Sequence, residues 1–147
     1  MAIPDLEPDG FLPPGVHECT ISELEDRFGR FQSTDRRIRL CRQLKDFIRE
    51  LQASRIGVAL IVDGSFATAK HDPNDIDLIL ILPTDHDFSR QLRPFEYNLV
   101  ARRQVRKRYG FDLLVTSEDR PELDEYLDFF AQVRGRLEKK GLLRLEL

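Results

Sequence analysis

Residues 56–82 read IGVALIVDGSFATAKHDPNDIDLILIL. Two apolar, β-branched runs, 56–62 and 75–82, flank a short polar link. Runs of that length and composition predict strands covered on both faces. Gly64 and Ser65 follow the first run at once, and Pro83 ends the second. A link of this length predicts an antiparallel pair. Asp75 and Asp77 open the second strand two residues apart, so the period of two puts both carboxylates on one face.

Outward from this pair, residues 111–116, FDLLVT, predict a third strand. The stretch between the second and third strands holds Pro94 and a helical pattern to about Tyr109, stopped by Gly110. A helical crossover of that size makes those two strands parallel neighbours. Thr20-Ile21-Ser22-Glu23 is a capping box and predicts a short helix over 21–28. A second helix runs from Ser33 or Thr34 to about Ala53, with a stripe at Cys41, Leu44, Ile48 and Leu51 widened by Leu40 and Phe47. Phe31 is expected to anchor the loop between them. Pro121 begins a last helix, expected to reach about Lys139, and the tail LLRLEL reads as an edge strand or further helix. Residues 1–19, rich in proline, predict an extended arm ahead of a domain over 20–147. The expected fold class is α/β (α+β): a small mixed sheet flanked by helices.

The chain has 147 residues, enough for one domain with a real core. Its two cysteines form no disulfide framework or zinc spacing, and Cys41 reads as a core thiol. The start shows no basic and apolar leader pattern and no apolar run reaches membrane length, so a soluble cytoplasmic protein is expected. Net charge is −3, which argues against direct nucleic-acid binding by the chain as a whole. Residues 102–108, RRQVRKR, nevertheless concentrate five positive charges. They read either as a solvated helix face or as an anion site.

Two like charges at Asp75 and Asp77 repel, and a cation is the simplest thing that makes the pair cheap. Oxygen ligands alone favour magnesium or manganese. Asp112 opens the third strand and is expected at the same sheet edge, where three carboxylates suit phosphoryl or nucleotidyl chemistry. Gly64 and Ser65 are expected beside Asp75 as a phosphate cradle. Lys70 and His71 lie in the link, where either can touch phosphate or simply sit in solvent. Asp63, next to the Gly-Ser turn, is read as a hydrogen-bond partner of the turn backbone or, less readily, as part of the metal shell. Phe95 and Tyr97 read as core residues in preference to base-stacking ones.

The set Gly64-Ser65-Phe66, Asp75-Ile76-Asp77 and a later strand-borne Asp112 resembles the nucleotidyltransferase superfamily of the DNA polymerase β type. The stretches LPPGVHECT (12–20), DGSFATAK (63–70), PNDIDLIL (73–80) and RPFEYNL (93–99) also resemble a family of short prokaryotic proteins considered nucleotidyltransferase-like. The resemblance implies that Gly64 and Ser65 hold the phosphates of a nucleoside triphosphate, with ATP the expected one. It implies that Asp75 and Asp77 ligate Mg2+ or Mn2+, and that Asp112 ligates the ion at the acceptor hydroxyl. Larger members of that superfamily carry a helical acceptor domain; here only the helix expected from 121 to 139 stands in that place, so a full acceptor site is not expected. Minimal members look like partners of small helical toxins, so an antitoxin-like or regulatory interaction subunit is the alternative to an enzyme.

Overall fold

A computed structural model describes residues 3–30 and 34–147. The roles expected for Phe31, and for Ser33 as a helix start, fall outside those residues. In chain order the elements are β1 (Gly15–Glu18), α1 (Ile21–Phe28), α2 (Arg36–Ser54), β2 (Ala59–Asp63), a single 3-10 turn (Ser65–Ala67), β3 (Asp77–Leu82), α3 (Pro94–Val100), α4 (Arg102–Tyr109), β4 (Asp112–Ser117), α5 (Glu122–Ala131) and β5 (Gly141–Glu146). The strands form one mixed sheet in the order β1-β5-β2-β3-β4. β2 and β3 are antiparallel and β3 and β4 parallel, as their connections require.

The alternation along each strand divides the sheet into two faces. Leu60, Val62, Leu78, Leu80, Leu113 and Leu143 join the larger core beneath α1 and α2. Leu44, Phe47, Ile48 and Leu51 of α2 are buried against that face. Each such side chain stabilises the fold by roughly 1.5–3 kcal/mol. Cys41 is buried and free, as read from the stripe. Ala59, Ile61, Ile79, Ile81 and Leu142 face the other way, under Leu123, Tyr126, Leu127 and Phe130 of α5. No helix among the described residues is long and apolar enough to cross a membrane.

Several expectations change. The tail is neither an edge strand nor a helix: β5 lies inside the sheet, antiparallel to β2 and parallel to β1. Its neighbour β1 comes from the segment read as an arm; ahead of it, residues 3–14 form extended and turn structure anchored by Ile3 and Leu12, which are buried in the larger core. The helix expected over 94–109 breaks at Ala101, whose backbone is extended at φ −82° and ψ 120°. The last helix stops at Ala131 instead of Lys139, because Gln132 is extended and Gly135 adopts φ +84°. Leu137, inside the span expected for that helix, is 98% exposed in the following loop. Phe95 and Tyr97 are exposed and do not pack in the core, because α3 turns Glu96 and Leu99 inward.

Candidate active site

Strand register brings the acidic residues together. Asp63, the last residue of β2, stands opposite Asp77, the first of β3. Asp77 in turn stands opposite Asp112, the first of β4. Directly paired residues project to the same face, so these three carboxylates form a row across three strands. It lies on the face covered by α5. Asp75 precedes Asp77 by two residues, with Ile76 fully buried between them, and so shares that side.

The charges are mutually uncomfortable. Burial raises the Asp77 carboxyl to about 6, helped by the neighbouring Asp75, Asp63 and Asp112. Burial also raises Asp63 to about 6, against the pull of Lys140. The Lys140 ammonium lies 2.9 Å from Asp63 Oδ1. That oxygen has no hydrogen bond of good geometry, so the contact is an ion pair set off the hydrogen-bonding direction. The other carboxylates also have partners. Asp75 Oδ1 accepts from the Ser65 hydroxyl at 2.6 Å and the Ser65 amide at 3.0 Å. Asp112 is paired with the Arg106 guanidinium. With oxygens turned towards these groups, no cluster of three or more His, Cys, Asp or Glu side chains among the described residues is arranged to hold an ion. The oxygen-only donor set and the raised Asp77 carboxyl nonetheless fit a hard divalent cation in charge and chemistry.

The loop from β2 to β3 is built to be held. Gly64 has φ +93°, and a Cβ there would meet Asp75 O and Asp77 N at 3.0 Å each. Only glycine lets the chain pass so close to the acidic strand. Arg37 of α2 supports the loop from below. Its guanidinium donates to Phe66 O (2.7 Å), Thr68 O (2.7 Å), Lys70 O (2.5 Å) and Phe28 O (3.2 Å). It sits 5.6 Å from the Phe66 ring centre and 5.9 Å from that of Phe28, and it is 2% exposed. From above, the Ala69 amide donates to Gly10 O at 2.9 Å. Arg136 fastens this N-terminal segment by pairing with Asp9 and packing over Phe11.

Two cavities meet at the acidic row. One, about 660 Å3, is lined by Gly64, Ser65, Lys70, Asn74, Asp75 and Asp77, with Asp9, Gly10 and Phe11 at its rim. The other, about 430 Å3, is lined by Asp63, Asp77, Asp112, Arg102, Phe129 and Phe130 among others. Asp77 and Lys140 border both. The residues read from sequence thus converge: Gly64 and Ser65 lie beside Asp75, and Lys70 borders the same cavity. His71 is exposed and lines neither cavity. Sequence reasoning underweighted Asp63, whose only signal was its position at a strand end. It missed Lys140 and Arg37, which look like ordinary surface cations on their elements.

Over residues 4–146 the chain matches a family described as a family of unknown function, DUF6932. The chain belongs to that family. No curated protein and no solved structure matches it. Membership in DUF6932 corrects the resemblance to the DNA polymerase β-type nucleotidyltransferases drawn from the LPPGVHE, DGSF and PNDIDL stretches: the family that spans this chain is a different one, with no function assigned. The motif set misled because a glycine turn beside strand-borne aspartates is a local arrangement, and local arrangements recur on unrelated folds. The mixed sheet with helices on both faces stands as an α+β fold, without assignment to that superfamily.

Proposed function

We propose that this DUF6932 protein transfers a nucleotidyl group from a nucleoside triphosphate to an acceptor hydroxyl, in a reaction that needs a divalent metal ion. The observation that carries the reading is the row Asp63, Asp77 and Asp112 with Asp75 beside it, placed where two cavities meet. Asp75, Asp77 and Asp112 would hold magnesium or manganese, whose charge, when bound, stabilises negative charge developing at phosphorus.

The protein's own groups divide the remaining work. The amide and hydroxyl of Ser65, now donating to Asp75, are the donors a triphosphate oxygen would take over in the larger cavity. Lys70 adds positive charge at its rim. Arg37 keeps that segment in place, so the donors need little reorganisation when phosphate enters. On the other side Asp112 faces the acceptor. The acceptor oxygen attacks the α-phosphorus, its proton passes to the Asp112 carboxylate, and the bond from the α-phosphorus to the bridging oxygen breaks to release pyrophosphate. Attack from one cavity and departure into the other would suit the in-line path this displacement needs.

The direct test is calorimetric titration of the protein with ATP in the presence of manganese, paired with transfer assays using labelled triphosphates. Binding that requires the ion and is lost in Asp77→Asn supports the reading. Absence of ion-dependent triphosphate binding by the unaltered protein overturns it.

A further inference from the structure

The basic run of α4 does not spread evenly into solvent. Val105 is buried and fixes the helix against the larger core. Arg108 is turned to α2, where it pairs with Glu50 at 3.1 Å. Arg102, Arg103 and Arg106 lie on the side that borders a separate cleft of about 400 Å3, completed by Phe111, Asp112 and Leu113. This cleft shares Arg102, Asp112 and Leu113 with the 430 Å3 cavity at the acidic row. Among the described residues Arg102 and Arg103 have no ion-pair partner, and Arg106 has only Asp112. That pair is open to water, its side chains 64% and 50% exposed, so a competing anion displaces it readily. Across the shared cavity Phe129 is 67% exposed, an apolar ring flanked by Phe130 at 6.2 Å between ring centres and otherwise largely open to solvent.

We infer that Arg102, Arg103 and Arg106 form an anion subsite for the acceptor, and that the acceptor is a phosphorylated nucleoside whose base lies on Phe129. The inference rests on the transfer reading for the word acceptor, but the subsite itself does not. Three guanidiniums around one small cleft match the several oxygens of a phosphate better than a single carboxylate. An exposed aromatic ring beside them is a surface on which any base stacks. Arg106 links the subsite to the acidic row. While it holds Asp112, that carboxylate is engaged; when an acceptor phosphate draws Arg106 away, Asp112 is released to face the incoming hydroxyl. Occupation of the acceptor subsite thereby completes the carboxylate set.

The test is run in EDTA, where triphosphate binding through a divalent ion cannot contribute. Binding of 5′-AMP, of adenosine and of a short 5′-phosphorylated single-stranded RNA is measured by calorimetry, with melting curves to show that each variant is folded. We expect 5′-AMP to bind at least about tenfold more tightly than adenosine, with the difference removed in the Arg102→Gln/Arg103→Gln double variant. Phe129→Ser weakens 5′-AMP and adenosine together. RNA that competes with 5′-AMP identifies the end of a polynucleotide as the source of the phosphate, whereas RNA that does not compete identifies a free nucleotide. Equal binding of 5′-AMP and adenosine, or undiminished 5′-AMP binding by the folded double variant, overturns the inference. If the unaltered protein binds 5′-AMP in EDTA but shows no ion-dependent ATP binding, the anion subsite stands and the transfer reading falls.

Discussion

Lys140 holds its ammonium 2.9 Å from Oδ1 of Asp63; the carboxylate is buried, the lysine is 13% exposed, and Lys140 borders both cavities. Asp63 also faces Asp77 across the antiparallel pair. The lysine therefore offsets charge that would otherwise sit uncompensated in the sheet. Removing one partner of a buried pair leaves the other unpaired and costs about 3–5 kcal/mol. We expect Lys140→Met to destabilise the protein by about that amount at neutral pH, and by much less near pH 5, where Asp63 carries its proton. Adding Asp63→Asn should recover most of the loss. Urea unfolding of the unaltered protein and these two variants measures this, and a Lys140→Met penalty independent of pH would refute the pairing.

The raised carboxyls fix the sign of a pH dependence. Asp63 and Asp77 both titrate near 6 in the fold, against the ordinary 3.8. Between these values the folded chain holds more protons than the unfolded one. Stability from these groups is therefore full below about pH 4 and is lost as pH rises through about 6. The loss is on the order of 2 kcal/mol for Asp77. Asp77→Asn should flatten the profile in this window. Denaturation midpoints between pH 4.5 and 7.5 would show it, and stability that climbs with pH in the unaltered protein would contradict it.

A divalent ion should act against that loss. Ions bind the folded row and not the unfolded chain, so millimolar manganese raises the melting temperature. Asp77→Asn should abolish the shift, and Asp112→Asn should reduce it. Arg106→Gln should increase it by freeing Asp112. An unchanged melting temperature in all four proteins would remove the metal from the account.

Arg37 is expected to matter for position more than for charge. Arg37→Lys cannot reach Phe66, Thr68 and Lys70 carbonyls together, and leaves buried acceptors unpaired at about 1–3 kcal/mol each. Amide exchange should accelerate at Ala67 and Ala69 well beyond that in a core control, Leu44→Ala, chosen for similar overall stability. Equal acceleration in both would reduce Arg37 to a general stabiliser.

Gly64→Ala meets two obstacles, a backbone at φ +93° and a Cβ 3.0 Å from Asp75 O and Asp77 N. We expect a loss of roughly 1–3 kcal/mol. The added methyl also pushes against the strand that carries the acidic pair, so the manganese-induced rise in melting temperature should shrink. A stable Gly64→Ala protein with the full manganese shift would show that the close approach is unimportant.

Composition and periodicity determined much of this protein without reference to any fold. The runs at 56–62 and 75–82, the capping box at Thr20 and the α2 stripe are local patterns, and local patterns carry their own period and stop signals. Parallel or antiparallel pairing of β2, β3 and β4 followed from the length of chain between them. Asp75, Asp77, Asp112, Gly64 and Ser65 were legible because spacing along strands sets which face and which edge a side chain occupies. The tertiary structure decided what spacing cannot encode. Insertion of β5 between β1 and β2 joins the two ends of the chain, and no local pattern in LLRLEL specifies partners more than eighty residues away. The helical pattern was cut where the backbone turns extended, at Ala101 and at Gln132, and periodicity carries no signal for either point. Arg37 and Lys140 gained their roles from carbonyls and a carboxylate distant in sequence. Long-range contacts of that kind depend on where the sheet places its edges, and only the folded chain contains that information.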